Sequence, residues 1–414
     1  MNYVLFDDRL RQTLLPLTYT RPVCDCRVGI MTIREKWETI LKTKTSTLTE
    51  SYLSKKYKMQ LAEEIILING AICPDENLLK AIENLTIGEN LISGKEKYNQ
   101  VVAIHTTKEK FANISYKDFL SNLNELLNST NNTTIVNYNN DYVAITSLAS
   151  IFVLTETEIE KDYDILTRCR KSQTISPTNK VFGDKIFIEQ GAKIECSILN
   201  STTGPIYIGK NCEVMENSVI RGPFAMQDGS IIKVGAKIYG GTTIGPHCKV
   251  GGEVENVVFF GYANKAHDGF FGNSVLGEWC NIGADSNTSN LKNTYDEVKL
   301  WSIEHAKFEE TGTIFCGTIM GDHSKCGINT MFNTGTVIGV SSNVFGEGYQ
   351  RNYIPSFAWG ANSGRRIYDI NKAIRVAEIV EKRRNVILTE EDKEILLHIY
   401  ELTTNNEKTK TGEN

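Results

Sequence analysis

The chain has 414 residues, 41% of them hydrophobic, and a formal net charge of -5. That length suffices for two or three domains with cores of their own, and the acidic balance gives no electrostatic case for nucleic acid or an anionic membrane as partner. No apolar run approaches the roughly 20 residues of a membrane span, and residues 3–6 are cut short by Asp7 and Asp8 rather than continuing as a leader. The ten cysteines are scattered without zinc spacing, which points to reduced thiols in a cytoplasmic protein.

In chain order, residues 3–6 read as a buried strand and Ile33–Leu41 as a helix. Residues 65–68 before Asn69-Gly70 read as a strand entering a turn, 101–104 as a short strand and 117–127 as a helix. The Asn/Thr-rich run 128–140 reads as a surface loop, and 159–169 as a helix linking the two parts of the chain. Strands alternating with helices favour an α/β layer with a mainly parallel sheet.

From Ile208 the pattern changes. Val214, Ile220, Met226, Ile232, Ile238, Ile244 and Val250 follow at steps of six. That step fits neither a helix nor an alternating strand. It fits a solenoid of short straight segments, each turning one side chain inward: the hexapeptide repeat. Upstream, Ile188, Ile194 and Asn200 keep the step but lie out of phase. Downstream, Leu276, Ile282 and Thr288 resume it, then Phe308, Ile314, Met320, Cys326, Phe332, Ile338 and Val344. Each phase change reads as an insertion leaving the coil as a loop, at about 251–275 and 289–307, and such loops are where a site is built. Beyond Trp359-Gly360, Ile367, Ile370, Ile374 and Ala377 keep helical spacing. A second helix is expected after Thr389, an N-cap followed by Glu390, Glu391 and Asp392, while 404–414 read as a frayed end.

The chemistry-bearing stretch lies where the period slips. It runs Asn264-Lys265-Ala266-His267-Asp268-Gly269-Phe270-Phe271-Gly272, then Asn281-Ile282-Gly283-Ala284, then Asn290-Leu291. A neutral imidazole is suited to take a proton from an amine near neutral pH, although a lone loop histidine is more often structural, bonded to a neighbour such as Asp268. These segments resemble the acetyltransferase half of the bifunctional enzymes that make UDP-N-acetylglucosamine, which show Lys-Ala-Gly-His, Tyr-Leu-Gly-Asp, Asn-Ile-Gly-Ala-Gly-Thr and Asn-Tyr in the same order. The resemblance implies a left-handed parallel β-helix, a homotrimer, and acetyl transfer from acetyl-CoA to an amino-sugar phosphate. It makes His267 the general base, gives Asn281 and Asn290 roles at the oxyanion and the sugar, places Lys265, Phe270 and Lys292 on the substrate, and puts Ala284 at acetyl-CoA. The family's basic phosphate clamp falls here on Tyr239, Val257 and Val258, leaving Arg221, Lys237, Lys249 or Lys292 to replace it.

The N-terminal run Leu15-Pro16-Leu17-Thr18-Tyr19-Thr20-Arg21-Pro22 resembles the start of sugar nucleotidyltransferases. Asp7-Asp8 stands where that family has a Gly-rich loop, and Val23 where it has a lysine. By that resemblance Arg21, Arg27 and Lys36 meet sugar and nucleotide phosphates and Asp7 and Asp8 hold Mg²⁺; an acidic turn beside a solvated basic helix is the open alternative. The expected layout is a nucleotidyltransferase-like α/β domain over 1–175, a β-helix acyltransferase domain over 176–360 and a helical cap over 361–414. The implied activity is acetyl transfer together with nucleotidyl transfer to a sugar-1-phosphate. The alternatives are a single-activity acetyltransferase with a degenerate first domain, or a non-catalytic trimeric scaffold that binds sugar nucleotides.

Overall fold

The computed structural model describes residues 2–93, 100–111, 114–128, 134–360 and 365–411, with no side-chain description after 404. The chain divides into two compact units. The first comprises residues 1–14, 20–26 and 31–146; the second takes 15–19, 27–30 and 147–414.

The first unit is built on a sheet in the order Ser46–Leu48, Asn2–Phe6, Glu64–Asn69, Val101–Thr107, Asn90–Ser93, Ile135–Tyr138. Val101–Thr107 runs antiparallel to both its neighbours, and the other pairs are parallel. The helix Ile33–Leu41 opens with a capping box, in which the Thr32 hydroxyl accepts from Glu35 N and the Glu35 carboxylate accepts from Thr32 N. Phe6, Leu67, Val101 and Phe119 pack into one core beneath the helix Tyr116–Asn128. The expected loop at 128–140 contains the strand Ile135–Tyr138, because Ile135, Val136 and Tyr138 are strand formers that pair where the edge strand Asn90–Ser93 is offered. Residues 129–133 lie outside those described.

The second unit holds a parallel β-solenoid. Ile206, Phe224 and Thr242 stack in register on one face, Glu213, Ile231 and Lys249 on another, and Val219 and Lys237 on the third. Successive coils are 18 residues apart, as where Lys210 N donates to Asp228 Oδ1. The aliphatic column from Ile208 to Val250 points inward and is buried along its whole length. Corners are taken by left-handed backbone: Asn211, Gly229 and His247 have φ of 54°, 69° and 56°.

The phase slips are of two kinds. Residues 251–275 do not leave the coil. Lys249 pairs with Asn264 and Val250 with Lys265, three residues short of the regular step, and the strands Glu253–Phe259 and Phe270–Leu276 continue the solenoid. A shortened coil shifts the phase just as an insertion does. Residues 289–307, in contrast, belong to a true excursion: Thr288 pairs with Phe332, and between them stands the antiparallel hairpin Lys299–Ser302 and Lys307–Glu310. Phe308 and Ile314 are therefore exposed rather than inward. Upstream, the inward residue is Leu199 and not Asn200.

The helix expected at 159–169 spans Leu148–Thr167, capped by Ser147. It lies on the solenoid strands Phe224–Met226, Thr242–Ile244, Glu253–Phe259 and Phe270–Leu276. Ile159 packs there with Phe187, Tyr207 and Ala225. At one corner His247, Tyr262, Trp279 and His323 stack ring on ring, with centroids 5.0, 4.1 and 6.4 Å apart. The C-terminal helices are Ile370–Lys382 and Glu390–Thr411, with Ile367 in a short strand before them. Thr389 caps the second by accepting from Asp392 N, and helix continues where a frayed end was expected.

Candidate active site

The shortened coil creates the site. Register places Lys265 beside Val250 in the inward column, a position held by aliphatic side chains in the coils before it. Lys265 is 1% exposed. A buried ammonium needs acceptors, and Lys265 Nζ finds them in the carbonyls of His267 and Asp268. Burial pushes its pKa down to about 8, with Asp268 acting in the opposite sense. The turn carrying His267 is thus pinned from inside the coil. Gly252 has a φ of +73°, and a Cβ there would stand 2.8 Å from the His267 carbonyl and 2.9 Å from Asp268 Cα. Only glycine lets this turn close onto the coil beneath. Asp285 N donates to the Asp268 carbonyl at 3.1 Å, and Phe270 N donates to Asn287 Oδ1 at 2.7 Å.

Above the turn lies an open cleft of about 500 Å³ along one edge of the solenoid, lined by Met215, Lys233, Val234, Gly252, Ala266, His267, Asp268, Ala284 and Asp285. His267 and Asp268 are exposed on it. Small residues, Gly252, Ala266 and Ala284, leave room for a chain-like ligand between charged groups.

Of the residues expected from the sequence, the cleft brings together His267 and Ala284, with Lys265 beneath them. Lys265 holds the backbone and does not reach the cleft as a substrate ligand. Asn281 is exposed, but it lies outside the cleft lining. The backbone N–H groups beside it are engaged in the coil: Asn281 N donates to Ser324 O, Ile282 N to Asn264 O and Gly283 N to Cys326 Sγ. Asn290 Nδ2 donates to Asn273 Oδ1 at 2.8 Å and faces Phe270 across Gly272. Lys292 Nζ donates to the Glu297 carbonyl at 2.6 Å. Sequence reasoning missed Lys233, Gly252 and Asp285; Lys233 directly follows the inward Ile232, and Gly252 and Asp285 take left-handed corners of the repeat.

In the first unit, Asp7 is buried. It accepts from Val23 N at 2.8 Å and Thr49 Oγ1 at 2.5 Å, and it pairs with Arg11 at 3.6 Å. Burial raises its pKa to about 6 against the opposing pull of Arg11. Asp8 accepts from Leu10 N, Asn69 Nδ2 and Gln100 Nε2, and burial raises its pKa also. Among the described residues no group of three His, Cys, Asp or Glu side chains is set to hold a metal ion. This donor set does not fit the Mg²⁺ expected at Asp7 and Asp8, whose oxygens already meet protein donors, and no catalytic step is assigned to a metal. Arg21 and Lys36 are buried, not solvated. Arg27 belongs to the second unit, where it donates to the carbonyls of Ile30 at 2.5 Å and Phe260 at 3.3 Å. Arg34, not singled out from the sequence, makes a two-pronged pair with Asp25 at 2.6 and 3.0 Å.

The relatives of this chain are transferases. Residues 3–171 match the family described as sugar nucleotidyl transferase. A stretch of 135 residues is 30% identical to the Bifunctional protein GlmU of Trichodesmium erythraeum (strain IMS101) and covers 32% of this chain and 24% of that protein. Similar solved structures include the polySia specific acetyltransferase NeuO, at 13% identity over 47% of this chain and 87% of the other with a TM-score of 0.24. Another is UDP-N-acetylglucosamine acyltransferase from Campylobacter jejuni, at 14% identity over 54% and 94% with a TM-score of 0.21. The chain thus joins a segment similar to sugar nucleotidyl transferases, residues 3–171, to a parallel solenoid, and it spans about a quarter of the length of the curated relative it matches. Among the described residues no helix is long and apolar enough to cross a membrane.

Proposed function

We propose that the solenoid transfers an acetyl group from acetyl-CoA to the amine of a hexosamine phosphate, a step of sugar-nucleotide biosynthesis. One observation carries this reading: an exposed imidazole on an open cleft, His267, whose turn is fixed from beneath by a buried lysine. The amine nitrogen attacks the thioester carbonyl carbon as His267 takes its proton. The C–N bond forms, the C–S bond breaks, and the imidazolium returns the proton to the departing thiolate. Small residues along the cleft suit the narrow pantetheine arm.

The assembly is a homotrimer in this reading. Val234, 61% exposed, lines the cleft and offers apolar surface to a neighbouring subunit. For residues 3–171 the family match supports nucleotidyl transfer to a sugar-1-phosphate.

The test is CoA release from acetyl-CoA with glucosamine-1-phosphate, alongside pyrophosphate release from UTP with sugar-1-phosphates. Loss of CoA release in His267→Ala, with melting temperature and subunit number unchanged, supports the base. Acyl transfer without pyrophosphate release leaves a single-activity acetyltransferase. A chain that binds sugar nucleotides and turns over nothing is the scaffold, and the enzymatic reading then falls.

A further inference from the structure

Several basic side chains elsewhere on the second unit meet acids. Lys237 meets Glu253, Lys299 meets Glu310, Lys307 meets Glu309, and Lys393 meets Glu378 and Glu390. Four others gather without doing so: Lys233, Lys249, Arg383 and Arg384 make no ion pair among the described residues.

Their placement follows from the coil. Ile232 and Val250 point inward, so Lys233 and Lys249 project from the outer face of neighbouring strands as a diagonal pair, roughly 8 Å apart between Cα atoms in the sheet. Asn264 is the register partner of Lys249 on the next strand, and Arg384 donates to Asn264 Oδ1 at 3.0 Å. The guanidinium is thus seated beside Lys249 by a neutral amide. Arg383 stands next to it, just past the end of the helix Ile370–Lys382. Burial, then Arg384, Lys233 and Arg383, hold the Lys249 ammonium below its usual value. Of the acids nearby, Glu381 lies 3.9 Å from His323 and Glu213 sits beyond Ile231, one strand farther from Lys249, while Asp268 and Asp285 share the cleft lining with Lys233. Lys233 also lines the His267 cleft. Like charges held this close repel, and an anion between them relieves the repulsion.

We propose that Lys233, Lys249, Arg383 and Arg384 form a phosphate-binding site continuous with the His267 cleft. It takes a phosphomonoester or diphosphate group of a ligand whose other end reaches the imidazole. The inference rests on the acyl-transfer reading and supplies, from residues on the solenoid and the C-terminal helix, the phosphate contact missing at Tyr239, Val257 and Val258. Two sources offer that chemistry, the phosphates of coenzyme A and the phosphate of the acceptor sugar.

Calorimetric titration of the full chain separates them, using coenzyme A, 3′-dephospho-coenzyme A, pantetheine, glucosamine-1-phosphate and glucosamine. Lys249→Gln with Arg384→Gln is expected to weaken either coenzyme A or glucosamine-1-phosphate by about tenfold or more, with reduced salt dependence and with pantetheine and glucosamine unchanged. Arg383→Gln, exposed at the helix end, is expected to act in the same direction without risk to the fold. Unchanged affinity for both phosphorylated probes, or equal losses with and without phosphate, overturns the site, as does a wild-type chain that binds neither phosphorylated probe. If His267→Ala abolishes transfer while the cluster variants bind normally, the site falls and the acyl-transfer reading stands. If the variants lose phosphate binding but the wild type transfers no acyl group, the site stands and that reading falls.

Discussion

Two neighbouring parts of one solenoid follow different rules. Between Ile206 and Val250 the coils keep a step of 18 and fill their interior with aliphatic side chains. From Gly251 to Thr288 the coils lose residues, and the inward column admits a buried ammonium at Lys265. The regular part is stabilised by apolar burial. The shortened part gives up one aliphatic contact, and in return a charged group grips the turn that presents His267. The edge that carries His267 is therefore held from within, at a coil whose inward column admits a lysine.

This contrast is most directly challenged at the imidazole itself. His267→Ala is expected to lower acetyl transfer by about 10²–10⁴-fold with no change in melting temperature, measured by steady-state CoA release. A comparable loss of stability instead would make the ring structural. On the regular side, Ile220→Ala is expected to cost about 2–5 kcal/mol in urea unfolding while leaving transfer intact below the new midpoint.

Lys265 probes the shortened coil through pH. Its folded value of about 8 lies below the unfolded value near 10.4. Between those values the unfolded chain binds more protons, so this group's contribution to stability rises with pH; below about 8 both states are protonated and the burial penalty is present in full. Unfolding free energies at pH 7.5, 9 and 10.5 should show a rise of about 2–3 kcal/mol in wild type that Lys265→Met lacks. Parallel profiles for the two proteins would place that ammonium in solvent. Gly252→Ala is expected to cost about 1–3 kcal/mol and to lower kcat more than it raises KM, since its methyl group displaces the His267 turn. Lys237→Ala, an exposed pair with Glu253, should stay within about 0.5 kcal/mol and serves as the control.

The regular coils were legible because each short segment turns one aliphatic residue inward, which writes a step of six directly into the chain. Where Leu199 rather than Asn200 is inward, the side chain's chemistry was a better guide than the count. The slip at 251–275 was legible as a slip but not as a deletion, since losing or gaining residues shifts the phase alike. Lys265 was misread for a related reason. A lysine beside a histidine in a site suggests a ligand, and only register shows that it occupies the place of Val250 one coil on. The cation cluster around Lys249 joins residues more than a hundred positions apart, Asn264 and Arg384 among them, and no local pattern announces such a meeting.

The helix Leu148–Thr167 has a consequence for how this array comes apart. Repeat proteins with nearest-neighbour contacts alone unravel unit by unit from their ends. Here one rod lies crosswise over four consecutive rungs, two full-length and two shortened, like a splint over a weak joint. None of those rungs opens without shedding that rod from the rest. The middle of the array should therefore melt as a single block, and amide exchange there should be uniform rather than graded.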